Sequence, residues 1–158
     1  MKKIFKSILS LLLIFSLAFV YKAGLNDQQT SEPSAQTPPN HASIEEDGWY
    51  SSKEDVAEYI EVYQQLPDNF ITKQEAIELG WDNSKGNLWE VAEGMSIGGD
   101  RFMNREGLLP DEKGRIWTEC DINYDGGYRG AERIVFSNDG LIYYTDDHYE
   151  SFECLSGE

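Results

Sequence analysis

The strongest constraint on the fold is a change of texture at Ser96. Upstream of it apolar residues recur at helical spacing behind capping residues, and downstream short aromatic and β-branched runs alternate with glycine-rich turns. Ser51 and Ser52 can cap a helix, with Glu54 and Asp55 three residues on. Val56, Tyr59, Ile60, Tyr63 and Leu66 then mark an amphipathic helix that Pro67 ends. Thr72-Lys73-Gln74-Glu75 is a second capping box, leading Ala76, Ile77 and Leu79 to Gly80, a C′ residue. Residues 87–92 suit one more helical turn. Strands are expected over 96–102, 115–122, 133–137, 141–145 and 151–154, with Asn138-Asp139-Gly140 as a hairpin turn. Helices first and sheet second imply an α+β domain, its N-terminal helices packed on a C-terminal antiparallel sheet of about five strands.

The first residues suggest export. Lys2, Lys3 and Lys6 precede an apolar run from Ile8 to Val20, the layout of a signal peptide over residues 1–24 and too short for a comfortable membrane span. Ser16-Leu17-Ala18 offers small residues for cleavage, and an uncleaved anchor is the alternative. Residues 25–47, rich in Pro, Ser, Gln and Thr, read as a disordered linker or propeptide in which His41 is a solvated side chain, leaving the ordered domain to residues 48–158.

Removing that leader takes four of the 13 basic residues and none of the 29 acidic ones, so nine face 29 and the remainder carries −20. A field of that sign slows approach to nucleic acid or an anionic membrane, although a locally basic cleft can survive within it. Cys120 and Cys154 suit an oxidising compartment. They leave two readings open, one disulfide or a buried free thiol at Cys120.

Two chemistries compete for residues 117–133. Asp121, Asn123, Asp125, Gly126 and Glu132 fill the calcium-loop pattern D-x-[DN]-x-[DN]-G-x5-E. Both flanks read as strands where an EF-hand needs helices, and Arg129 would put a cation beside the ion. The other reading starts from strand alternation, which sends Trp117, Glu119 and Asp121 to one face and Ile116, Cys120 and Ile122 to the other. Asp121 can then hold Arg129 and Arg133 while Glu119 remains the outermost acid. Lys73 stands in the first turn of its helix as a further cation for an anionic ligand. His148 follows two aspartates and offers the side chain best able to donate a proton near neutral pH. One glutamate base, one histidine acid and several cations are what intramolecular transesterification of RNA requires, without a metal or other cofactor.

Five stretches carry a resemblance: L-P-D-N-F-I-T-K-Q-E-A-I-E-L-G-W from Leu66, S-K-G-N-L from Ser84, S-I-G-G-D-R-F-M-N-R-E-G-L-L-P from Ser96, D-I-N-Y from Asp121 and L-I-Y-Y-T-D-D-H-Y-E-S-F from Leu141. In one register from about Val56 to Phe152 the chain resembles the barnase-type, guanyl-preferring secreted ribonucleases of bacilli. The resemblance implies Glu119 as general base, His148 as general acid, and Lys73, Arg129 and Arg133 at the scissile phosphate. It also implies a guanine site at Phe102, Met103, Asn104, Arg105 and Glu106, with Tyr149 beside the nucleotide. A similar protein is a secreted monomer that cleaves single-stranded RNA 3′ to guanosine through a 2′,3′-cyclic phosphate. Its partner is an intracellular inhibitor of the barstar type.

Overall fold

A computed structural model of the chain describes residues 44–156, so the expected leader, His41 and all but the end of the expected linker lie outside the described residues. The α+β order is present, with α1 (Lys53–Tyr63), β1 (Phe70–Ile71), α2 (Lys73–Glu78), α3 (Leu88–Val91), β2 (Ser96–Phe102), β3 (Trp117–Asp121), β4 (Arg133–Ser137), β5 (Ile142–Thr145) and β6 (Glu153–Cys154). The strands lie side by side in chain order, six rather than five. The extra one, β1, is two residues long and runs parallel to β2, while every other pairing is antiparallel.

Capping explains where the helices start and stop. Ser52 accepts from the Asp55 amide at 3.1 Å, and Glu54 and Asp55 sit where the helix dipole favours negative charge. α1 ends at Tyr63, before Pro67, because Gln64 turns left-handed at φ 57° and returns its amide to Ile60 O at 2.8 Å. The chain is ordered further back than its composition suggests. The Tyr59 hydroxyl donates to Glu46 O at 2.8 Å and that of Tyr63 to Ile44 O at 3.0 Å, which ties residues 44–47 to the helix.

α2 carries the complete capping box, with Thr72 Oγ1 accepting from Glu75 N and Glu75 Oε2 accepting from Thr72 N. It closes as a Schellman motif in which Trp81 N reaches Ala76 O, Gly80 N reaches Ile77 O, and Gly80 takes φ 103°.

Burial then separates the two sheet faces. Val56 and Ile60 of α1 pack on Cys120, Ile122, Ile134 and Ile142. A second cluster joins Ala76, Trp81 and Leu88 to Ile97 and Tyr124, and a third joins Leu109, Trp117 and Val135. Removing most of a buried side chain such as Ile134, which is 0% exposed, costs about 2–5 kcal/mol.

The cysteines are both free. Two strands separate β3 from β6, so Cys120 and Cys154 stand roughly 14 Å apart at ordinary strand spacing, while a disulfide needs Cα atoms within about 7 Å. Cys120 lies in the core under α1, where burial pushes its thiol far above the ordinary value. Cys154 is exposed.

One irregularity positions the site. Between Gly98, which faces Cys120, and Asp100, which faces Glu119, β2 carries one extra residue, Gly99, at φ 94°. This bulge moves every later β2 side chain to the opposite face, bringing Asp100 and Phe102 alongside Glu119 and Trp117.

Candidate active site

Glu119 sits midway along β3, on the face it shares with Trp117 and Asp121. Register brings Phe102 and Asp100 against it from β2 and Val135 and Arg133 from β4. Around Trp117 the face is apolar, formed with Leu109, Val135, Phe102, Tyr143 and Tyr149. Around Asp121 it is charged. The two ends are separated by the length of β3, about 13 Å at 3.3 Å per residue.

At the charged end Asp121 holds two guanidinium groups. Arg129 donates Nε to Oδ2 at 2.5 Å and a second N–H to Oδ1 at 2.6 Å, and its cation lies 5.9 Å over the Trp81 ring. Burial opposes the Arg129 charge, yet the Asp121 bonds outweigh it and raise the guanidinium above its ordinary value. Arg133 sits across the β3–β4 pair with Nε 2.9 Å from Asp121 Oδ1. The angle there is too bent for a hydrogen bond, so this N–H is buried without an acceptor, while Nη1 donates to Gly130 O and Glu132 O.

Glu119 is bonded on both oxygens. Lys73 Nζ donates to Oε1, and the Tyr149 hydroxyl donates to Oε2 at 2.5 Å. Burial alone would raise this carboxyl, but the Lys73 and Tyr149 hydrogen bonds and the charges of Lys73 and Arg133 together hold it below its ordinary value. Glu119 is therefore an anion at neutral pH despite being 9% exposed. Tyr149 responds in the opposite sense, since burial and the Glu119 carboxylate push its phenol well up. Asp100 completes the group by accepting from the Lys73 amide at 2.9 Å and lying 3.8 Å from its ammonium.

His148 and Tyr149 lie on the turn after β5, both with left-handed backbones at φ 60° and 77°. Asp147 holds that turn as a common acceptor for Thr145 Oγ1, Glu150 N, Ser151 N and Ser151 Oγ. It brings Tyr149 back over Phe102, ring centroids 5.1 Å apart, with the exposed His148 imidazole 4.8 Å from the Tyr149 ring. The loop after β2 is closed by Asn104, itself at φ 43°, which donates to Leu109 O at 2.9 Å and accepts from Leu109 N at 3.0 Å. Met103, Arg105 and Glu106 project into solvent there.

The structure thus joins Lys73, Glu119 and Tyr149 directly, Arg129 and Arg133 through Asp121, and Phe102 to Tyr149. It places His148 beside them on the turn. Asp100 was not singled out in the sequence, because simple alternation puts it on the other face and only the Gly99 bulge reverses that. The glycine pair before an acid was the one available signal. The calcium pattern is spent on other partners: Asp121 on the two arginines, and Asn123 and Tyr144 on Glu132 at 2.9 and 2.5 Å.

The site is thus a carboxylate set among cations on a sheet face, with stacked aromatic rings at its apolar end. The chain belongs to the ribonuclease family, whose model matches residues 53–156, and its substrate is RNA. It is 61% identical over 97 residues to a ribonuclease of Heyndrickxia coagulans, a match covering 61% of this chain and 89% of that protein. It is equally similar to a ribonuclease of Bacillus intermedius, where the match again covers 61% of this chain but only 60% of the relative. The guanyl-specific ribonuclease St of Saccharopolyspora erythraea is 46% identical over 55 residues, 34% of this chain and 54% of that one.

Proposed function

We propose that the chain is an exported endoribonuclease that cleaves single-stranded RNA 3′ to guanosine by transesterification, with Glu119 as general base and His148 as general acid. The observation that carries this reading is Glu119, an anion held between Lys73 and Tyr149 and one residue pair away from the Asp121–arginine cluster. Glu119 takes the proton of the 2′-hydroxyl, that oxygen attacks phosphorus, and the bond to the departing 5′-oxygen breaks as His148 protonates it. The product is a 2′,3′-cyclic phosphate, whose hydrolysis reverses the two roles. Lys73, Arg129 and Arg133 spread the charge that develops on phosphorus.

Guanine selection rests on the loop that Asn104 closes, where Glu106 is exposed, and on the guanyl-specific relative. The same cationic cleft suits a barstar-type protein inhibitor inside the producing cell. The test is cleavage of a guanosine-containing dinucleotide with and without EDTA, beside Glu119→Ala and His148→Ala. Turnover should survive chelation and fall about 100-fold or more in each variant. Abolition by EDTA, or near-wild-type activity of Glu119→Ala, would refute the mechanism.

A further inference from the structure

We infer that the pocket lined by Trp49 and Trp89 is a binding site for a quaternary ammonium group such as that of choline. It shares no residue with the catalytic site, and it holds about 310 Å³ between the two indoles, Tyr50, Tyr124, Asn69 and Asp125. Both indoles are open to solvent, yet both are fixed. Trp49 is 57% exposed, and a Cβ on Gly94 would meet its ring at 2.8 Å, so the bare glycine backbone, at φ 76°, is what lets the indole rest there. Trp89 is 36% exposed. Its N–H donates to Met95 O at 2.8 Å, its ring meets that of Tyr124 edge-on with centroids 5.6 Å apart, and a Cβ on Gly126 would strike it at 2.8 Å. Open ring faces on fixed supports lose little freedom when a ligand covers them.

The polar atoms of the pocket narrow the ligand. Asn69 is 3% exposed and its side chain is spent on Tyr50, accepting from the amide at 3.2 Å and donating to the carbonyl at 2.9 Å. The Tyr50 hydroxyl accepts from Glu45 N at 2.8 Å, and that of Tyr124 donates to Gly127 O at 3.0 Å. A sugar or a primary ammonium brings several hydrogen-bonding groups and would find few partners here. A quaternary ammonium has no N–H to satisfy and is drawn to ring faces. Its charge has a counterpart in Asp125, which is exposed at the pocket and forms no ion pair among the described residues. The net charge of −16 also raises the local concentration of cations.

The experiment is calorimetric titration of the full chain with choline and with dimethylbutanol, the uncharged isostere in which carbon replaces its nitrogen. Wild type is compared with Trp49→Ala, Trp49→Phe and Asp125→Asn. Choline should bind with a Kd below about 10 mM, and the isostere at least about fivefold more weakly. Trp49→Ala should weaken choline about fivefold, and Trp49→Phe should recover part of that loss. Asp125→Asn should weaken it about twofold or more at low salt, with the loss shrinking as salt screens the carboxylate. Absence of saturation by choline, equal binding of the two compounds, or an unchanged Kd in both Trp49→Ala and Asp125→Asn would overturn the inference. Phosphatidylcholine vesicles separate the two sources of this head group. Wild type that sediments with them and is released by free choline assigns a lipid, and binding of free choline alone assigns a solute.

Discussion

Glu119 stays charged in a nearly closed position because neighbouring groups hold it there, and each can be removed singly. The Tyr149 hydroxyl lowers the carboxyl's affinity for a proton, so Tyr149→Phe should raise it. A base with a raised value is protonated at higher pH, and the acid limb of the kcat/KM profile should therefore move upward. A uniform loss of rate with the limb unmoved would assign Tyr149 to nucleotide contact alone. Asp121 is a different case, a carboxylate whose side chain is 3% exposed and whose partners Arg133 and Arg129 are 4% and 14% exposed. Removing one member of a buried set leaves uncompensated charge, so Asp121→Ala should lose about 3–5 kcal/mol in urea denaturation. Catalysis and stability thus meet at adjacent positions of one face, and denaturation beside kinetics on both variants would tell them apart.

At the scale of elements, the turn that carries His148 and Tyr149 depends on one acid. Hydrogen bonds from the Ser151 hydroxyl, then from the Ser151 amide and Thr145, lower Asp147 from 3.8 to about 2. A lowered carboxyl contributes its stabilisation above the unfolded value and loses it as pH falls through the folded one. The protection of amides 146–151 against exchange, relative to their intrinsic rates, should therefore fall between about pH 4 and pH 2, and Asp147→Asn should show that looseness already at neutral pH. Most elements were legible in the sequence because their signals are local. The caps at Ser52 and Thr72, the strand run 133–137 and the left-handed Gly80 each depend on residues within one turn or strand. What was not legible depends on distant partners. Two residues, Phe70 and Ile71, cannot display a period, and the carbonyls of Ile44 and Glu46 that Tyr63 and Tyr59 capture have no side-chain signature. The bulge at Gly99 exists only in relation to β3. The alternation of Glu119 and Asp121 was readable, whereas Asp100 was hidden by that one extra residue. Gly99→Ala puts a side chain at φ 94° with its Cβ 3.4 Å from Thr72 Cγ2, and thermal denaturation should show a loss of about 1–3 kcal/mol.

The whole molecule sets the cations Lys73, Arg129 and Arg133, each paired with a carboxylate, into a body of net charge −16. Repulsion by that body grows with the charge of the substrate, so it weighs on long RNA more than on a dinucleotide, while the local arginines act on both. Raising the ionic strength from about 0.01 to about 0.15 M shortens the screening length from about 30 to about 8 Å. The ratio of kcat/KM for polymer to that for dinucleotide should rise over this range, and a falling ratio would mean that the cleft's own field dominates capture. The two thiols have a use of their own. Cys120 is sealed beneath α1 with its thiolate strongly disfavoured, while Cys154 lies open on the last strand of the sheet, so an alkylating dye should mark Cys154 alone. The native protein thus already contains a single attachment point, three strands from Glu119, from which binding of RNA or of an inhibitor could be followed by fluorescence without altering any residue of the cleft.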